Sequence, residues 1–193
     1  FKQKTAYEIM PSLVGSEMCI RDRLESCAGC HMSLLDIDER ILELLKHVEL
    51  DATPITDLKH PSKEGVDVGI LSGAVGNTHQ LEVAKRMRER CKILIALGDC
   101  ATFGGICTML NFFDKEEALR RGYVETESTV EGKIPRSEEI ARPLEKVLAV
   151  DEVVKVDIHL PGCPPSADAI WYVLSELLAG RTPVLEGENL KYD

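Results

Sequence analysis

Four cysteines share one local context. Cys27 and Cys30 form CAGC just ahead of a helical pattern that opens at Ser33, Cys100 sits in GDC after the apolar run KILIALG, and Cys163 sits in PGCPP after VDIHL. Each falls where a predicted strand gives way to a loop opening a helix. In a parallel sheet all strand C-terminal ends lie on one edge, which is where such folds bind ligands, so thiols remote in sequence converge there. Four converging thiolates suit a metal. Structural zinc usually takes paired CxxC knuckles, and this chain holds a single CxxC with two remote single cysteines. A cubane [4Fe–4S] cluster is larger and accepts four thiolates from scattered loops. Gly29, Gly98, Gly104, Gly105 and Gly162 would let backbone approach closely, and nearby helix N-termini would direct N–H groups at an anionic centre. The pattern favours iron–sulfur, with zinc and buried unligated cysteines as the other readings.

The remaining candidates read more plainly. Cys91 closes the pattern KRMRERC as a small buried apolar residue, and Cys107 in GGICTML is expected to pack near Cys100, with redox sensitivity as its minority reading. His31 stands beside Cys30 and is expected to serve loop or helix contacts, a sulfur contact or a proton path being the sharper alternative. Trp171 and Tyr172 are read as packing residues on the last helix. A flavin is disfavoured, because CAGC stands where a flavodoxin would carry its phosphate loop.

The elements that must position these residues alternate. SLLDIDERILELLK, Ser33 to Lys46, carries a broad apolar stripe and predicts one amphipathic helix, followed by a strand in VELDATPI. VDVGILSG from Val66 and KILIALG from Lys92 are short apolar runs ending in glycine, as strands buried on both faces are. HQLEVAKRMRERC from His79 predicts a helix, as does SADAIWYVLSELLAG with Gly180 as its stop signal, and VVKVDIHLPG predicts another strand. Phe112 to Pro143 reads as a surface excursion before a helix in RPLEKVLAV, and RTPVLEGENLKYD, within residues 181–193, reads as a tail. The expected fold is α/β, a flavodoxin-like open, mostly parallel sheet with helices on both faces.

Composition narrows the function. The 193 residues hold 23 Lys and Arg against 33 Asp and Glu, a net charge of −10, which disfavours a phosphate-gripping nucleic-acid surface. No run reaches the roughly 18 apolar residues of a membrane-spanning helix. Seven cysteines without a recognisable secretory signal fit a reducing compartment better than a disulfide-stapled secreted scaffold. Residues 1–23 lack periodicity: Lys2 to Glu8 resembles a translated sequencing-library primer and Leu13 to Arg23 a translated transposon-end adapter, so this segment is expected to be non-native. Setting it aside removes Cys19 and leaves 19 basic and 30 acidic residues, net −11. The native domain is then expected to be 24–180.

CAGCHMSLLDIDERILELL, GDCATFGGICTMLN, IPRSEEIARPLEKVLAV and VDIHLPGCPPSADAIWYVLSELLAG together resemble the small subunit of [NiFe] hydrogenases, specifically the short cytoplasmic, bidirectional, NAD-reducing type. The resemblance implies that Cys27, Cys30, Cys100 and Cys163 hold one [4Fe–4S] cluster. It places the nickel–iron centre in a separate large subunit, and flavin and NAD in iron–sulfur/flavin diaphorase subunits, so this chain would relay electrons without a nickel–iron site of its own. A complex I-like quinone-reducing cluster subunit and a zinc-stabilised α/β binding module are the alternatives. Leftover apolar faces, including part of the Ser33 helix and the Trp171 helix, are expected to bury against the large subunit. Two departures stand out. The strand that feeds CxxC in relatives is missing or replaced by the adapter-like text, which predicts poor folding, and Ser72 stands where relatives often carry Glu.

Overall fold

The computed structural model describes residues 16–21, 27–52 and 64–190, the first stretch through its backbone alone. The boundary expected at Leu24, the end of VELDATPI and the last three residues fall outside them. Five strands form the main sheet: β1 (Ser16–Arg21), β2 (Val48–Ala52), β3 (Val66–Ser72), β5 (Cys91–Leu97) and β7 (Ile158–Leu160), in the spatial order β2-β1-β3-β5-β7. All neighbours are parallel. This is the flavodoxin order, with its switch point between β1 and β3, so the expected fold class is borne out.

The place of the first strand is filled. The backbone of Ser16–Arg21 lies between β2 and β3, with Met18 beside Val68 and Ile20 beside Ile70, and its register against β2 shifts between Met18 and Cys19. An extended backbone supplies ladder donors and acceptors whatever residues it carries, so the slot does not stand open as the sequence led us to expect.

β5 shows why apolar runs became interior strands. Ile95 and Leu97 join a core with Leu34, Ile37, Ile170 and Val173 on one face, while Leu94 and Ala96 join Val83, Met87 and Val150 on the other. Helices α1 (Gly29–Leu35), α2 (Arg40–Leu44) and α6 (Ala167–Leu178) cover the first face; α3 (Thr78–Arg90), capped by Asn77 and Gln80, and α4 (Asp99–Phe103) cover the second. Cys91 is buried as expected. A Cβ on its neighbour Gly69 would stand 2.2 Å from the Cys91 sulfur, so glycine makes room for it.

Four element readings need correction. The helix expected across Ser33–Lys46 begins earlier, at Gly29, and breaks after Leu35, where Asp38 turns left-handed at φ 59°. Aspartate tolerates that conformation and competes with helical backbone bonding, and the break drops Ile37 to 1% exposure. RPLEKVLAV is no helix: Pro143–Leu148 is β6, antiparallel to β4 (Val75–Asn77). Its other edge is satisfied by a side chain, because Asn111 donates to the Val147 carbonyl at 2.8 Å and accepts from the Val147 N–H at 2.7 Å. The strand expected from Val153 is confined to Ile158–Leu160; ahead of it the Asp157 carboxylate accepts the Leu94 N–H at 2.9 Å. The surface excursion holds α5 (Lys115–Tyr123), capped by Asp114. The described part of the tail lies against α6, with the Tyr172 hydroxyl donating to the Val184 carbonyl.

Candidate functional site

Each of the four predicted cysteines lies on the C-terminal edge of the sheet. Cys27 is exposed in the loop after β1, and Cys30 is half-buried in the first turn of α1. Cys100 is 8% exposed in the first turn of α4, directly after β5, and Cys163 is exposed in the loop after β7. Three loops therefore present the thiols, two of them from adjacent strands.

Glycine backbone lies against three of the sulfurs. A Cβ on Gly98 would fall 2.3 Å from the Cys30 sulfur, one on Gly105 would fall 3.0 Å from the Cys100 sulfur, and one on Gly29 would fall 3.4 Å from the Cys27 sulfur. Gly98 also has φ +86°, a region that side chains other than glycine rarely adopt. The Cys30 sulfur thus rests on the backbone that leads into Cys100, so the CAGC loop and the GDC loop are packed together.

The GDC and PGCPP loops are joined by a reciprocal clasp. The Asp99 N–H donates to the Gly162 carbonyl at 2.9 Å, the Gly162 N–H donates to Asp99 Oδ1 at 2.7 Å, and the Gly98 N–H donates to the Leu160 carbonyl at 2.7 Å. The Ser33 hydroxyl donates to the Pro165 carbonyl and ties α1 to the same loop. Some loss of solvation, followed by the charges of Cys100, Asp99 and Cys27, pushes the Cys163 thiol above its ordinary range. The Cys27 and Cys100 thiols therefore each lie within Coulombic reach of Cys163.

Among the described residues, no group of three or more His, Cys, Asp and Glu side chains is arranged to hold a single metal ion. The donor set itself fits an iron–sulfur cluster. It offers four thiols on a glycine-rich cradle, and a multi-iron group spans a wider outline than the roughly 2.3 Å zinc–sulfur bonds around one ion.

Other residues are placed as follows. Cys107 is half-buried against a small cluster of Ala74, Cys100 and Val147. His31 is buried in α1, and Ser72 is 2% exposed where β3 ends at the switch-point edge. Trp171 packs partly on the core beneath the Arg40 guanidinium, 5.7 Å from its ring centroid. Sequence reasoning missed Asp99, whose partner Gly162 is remote in the chain. It also missed a strip of exposed apolar side chains from Phe103 to Phe113, which follows Cys100 directly and includes Ile106 at 66% and Phe112 at 84% exposure. The signal was available, because residues 101–113 carry no charge in a chain that is 29% charged.

Comparison with known proteins places this geometry. Residues 27–177 match the family model described as NADH ubiquinone oxidoreductase, 20 Kd subunit. The chain belongs to that family. Within it, the chain is 39% identical over 170 residues to the NAD-reducing hydrogenase HoxS subunit delta of Cupriavidus necator, covering 86% of this chain and 81% of that one. It is 32% identical over 161 residues to the sulfhydrogenase 2 subunit delta of Pyrococcus furiosus, covering 83% of this chain and 62% of that one. Its fold matches a chain in the crystal structure of an NAD+-reducing [NiFe]-hydrogenase in the H2-reduced state with a TM-score of 0.87 and 36% identity, covering 93% of this chain and 99% of that one. The family member is thus a [NiFe] hydrogenase small subunit, a component of an oxidoreductase complex, and the resemblance read from its motifs is borne out. No helix among its described residues is long and apolar enough to cross a membrane.

Proposed function

We propose that this small subunit relays electrons through one [4Fe–4S] cluster held by Cys27, Cys30, Cys100 and Cys163. The relay runs between the nickel–iron site of a large subunit and NAD-linked iron–sulfur/flavin diaphorase subunits, in the cytoplasm. The observation that carries the reading is the convergence of three thiol-bearing loops on one sheet edge, with glycine backbone against three of the sulfurs. When bound, such a cluster supplies one-electron transfer at a potential tuned by net charge, sulfur hydrogen bonds and solvent exposure. The chain's own residues do the holding. Gly98 and Gly105 admit Cys30 and Cys100, and the Asp99–Gly162 clasp fixes the Cys100 loop against the Cys163 loop.

The uncharged strip beginning at Phe103 supports docking of the large subunit beside Cys100, since large exposed apolar patches mark protein contact sites. This differs from the faces expected from sequence. Ile170, Val173, Leu174 and Leu177 of α6 are spent on the chain's own core, although Met32, Leu35, Leu42 and Leu45 around α1 and α2 remain exposed. The partner chemistry follows the NAD-reducing relative, of which the chain spans 81%.

The test is anaerobic preparation of the full chain with its large subunit, followed by iron and acid-labile sulfide analysis. About four sulfides per chain and about four irons beyond that of the nickel–iron site, with a reducible paramagnetic centre, is the expected result. Cys163→Ala should lose that centre, and a complex assembled with the diaphorase subunits should lose H2-dependent NAD+ reduction with it. One zinc per chain without acid-labile sulfide, or an unchanged centre in the variant, would overturn the reading.

A further inference from the structure

The clasp between Asp99 and Gly162 joins two functions in one side chain. Asp99 precedes Cys100, and its Oδ1 accepts the N–H of Gly162, which precedes Cys163. Its own N–H donates back to the Gly162 carbonyl. The side-chain bond therefore spans two of the three loops, and each of its ends is one residue from a thiol. A cluster held there bears net negative charge, and its potential depends on the charge around it. Adding an electron to an anionic centre beside a fixed carboxylate costs Coulomb energy in a partly buried site.

We infer that Asp99 is a positioning residue that sets the spacing of the Cys100 and Cys163 loops through Oδ1 and, through its negative charge, holds the bound cluster at a lower reduction potential. The inference rests on the cluster reading above. Among the described bonds on this edge, no other combines the two roles. Ser33 reaches the Pro165 carbonyl without charge, and the Gly98 bond to Leu160 is backbone only.

The two roles separate under substitution. Asp99→Asn keeps an acceptor oxygen for the Gly162 N–H and removes the charge. Asp99→Ala removes both. Each variant and the wild type would be made anaerobically as the full chain with its large subunit, then assayed for iron and sulfide content and by potentiometric titration followed with paramagnetic resonance. The inference expects Asp99→Asn to keep wild-type iron and sulfide and to titrate at a higher midpoint potential. It expects Asp99→Ala to lose a substantial share of its iron. An unchanged potential in a fully loaded Asp99→Asn overturns the charge role, and full loading of Asp99→Ala overturns the positioning role. A wild-type chain without iron and sulfide overturns the cluster reading itself, and the inference with it. A general folding defect is distinguished by thermal unfolding: loss of iron from Asp99→Ala with its cooperative transition retained supports positioning, whereas iron loss together with loss of that transition overturns it.

Discussion

Outside the cysteine edge, the Asp157 carboxylate meets Arg88, the Leu94 N–H and Lys155. Burial opposes its ionisation, but the Arg88 side chain, the Leu94 N–H and Lys155 overcome that and hold its carboxyl below the ordinary carboxylate range. Arg88 also donates to the carbonyls of Cys91 and Lys92, so one pair anchors the end of α3, the start of β5 and the approach to β7. A carboxyl whose folded pKa is depressed contributes stability that is complete above its unfolded value, near pH ~4, and is lost as pH falls through the folded value. Asp157→Asn is therefore expected to destabilise the chain at about pH 7 by about 1 kcal/mol, the pair's partial exposure screening the rest. It should also flatten the fall in stability below about pH 4. Urea unfolding from about pH 7 to about pH 3 measures both, and parallel pH profiles for variant and wild type would refute the linkage. The four thiols were legible in sequence at this scale because each stands beside an apolar run or a helical pattern at a turn. Asp157 and Asp99 were not, because their partners, Arg88 and Gly162, lie far away in the chain and only the sheet brings them together.

Elements were legible where burial is two-sided. VDVGILS and CKILIAL became β3 and β5 because such short apolar runs are buried on both faces most readily as interior strands, and α3 kept the period its sequence shows. RPLEKVLAV misled because local propensity competes with a non-local partner. Its Glu, Lys and Leu favour helix, but β4 on one edge and Asn111 on the other satisfy an extended backbone. Asn111 thereby presses the 3-10 segment Gly105–Phe112 onto β6 and leaves its apolar side chains outward. Substituting two of these, as Ile106→Asp with Phe112→Asp, is expected to change the melting stability of the isolated chain by no more than about 0.5 kcal/mol. The same pair should weaken capture of the large subunit at least tenfold, as loss of about 1.4 kcal/mol or more from an interface centre does. Titration of tagged large subunit with each purified chain checks this, and undiminished capture would remove the strip from the docking face.

At the scale of the molecule, β1 is the anomaly. It occupies an interior place between β2 and β3, yet its sequence SEMCIR holds Glu17 and Arg21, whereas residues 68–72 of β3 and 93–97 of β5 hold no charge. Interior parallel strands are ordinarily near-continuous apolar runs. Replacing Glu17 and Arg21 together with valine is expected to raise the melting temperature by roughly 2–4 °C, the shift that about 1 kcal/mol gives a domain of this size. A calorimetric scan decides it, and an unchanged or lowered transition would mean that the slot tolerates charge. The order β2-β1-β3-β5-β7 was legible as a fold class, since strands and helices alternate at lengths that demand right-handed crossovers. The occupant of its first place was not, because residues 1–23 carry no strand period. The same topology has a mechanical corollary. Cys27 precedes nearly all of the described domain and Cys163 stands close to its final α-helix. On the proposed assignment, the metal group is a staple joining the two ends of that domain, restricting the unfolded chain as a long-range cross-link does. Loss of the inorganic group would then loosen the entire sheet at once.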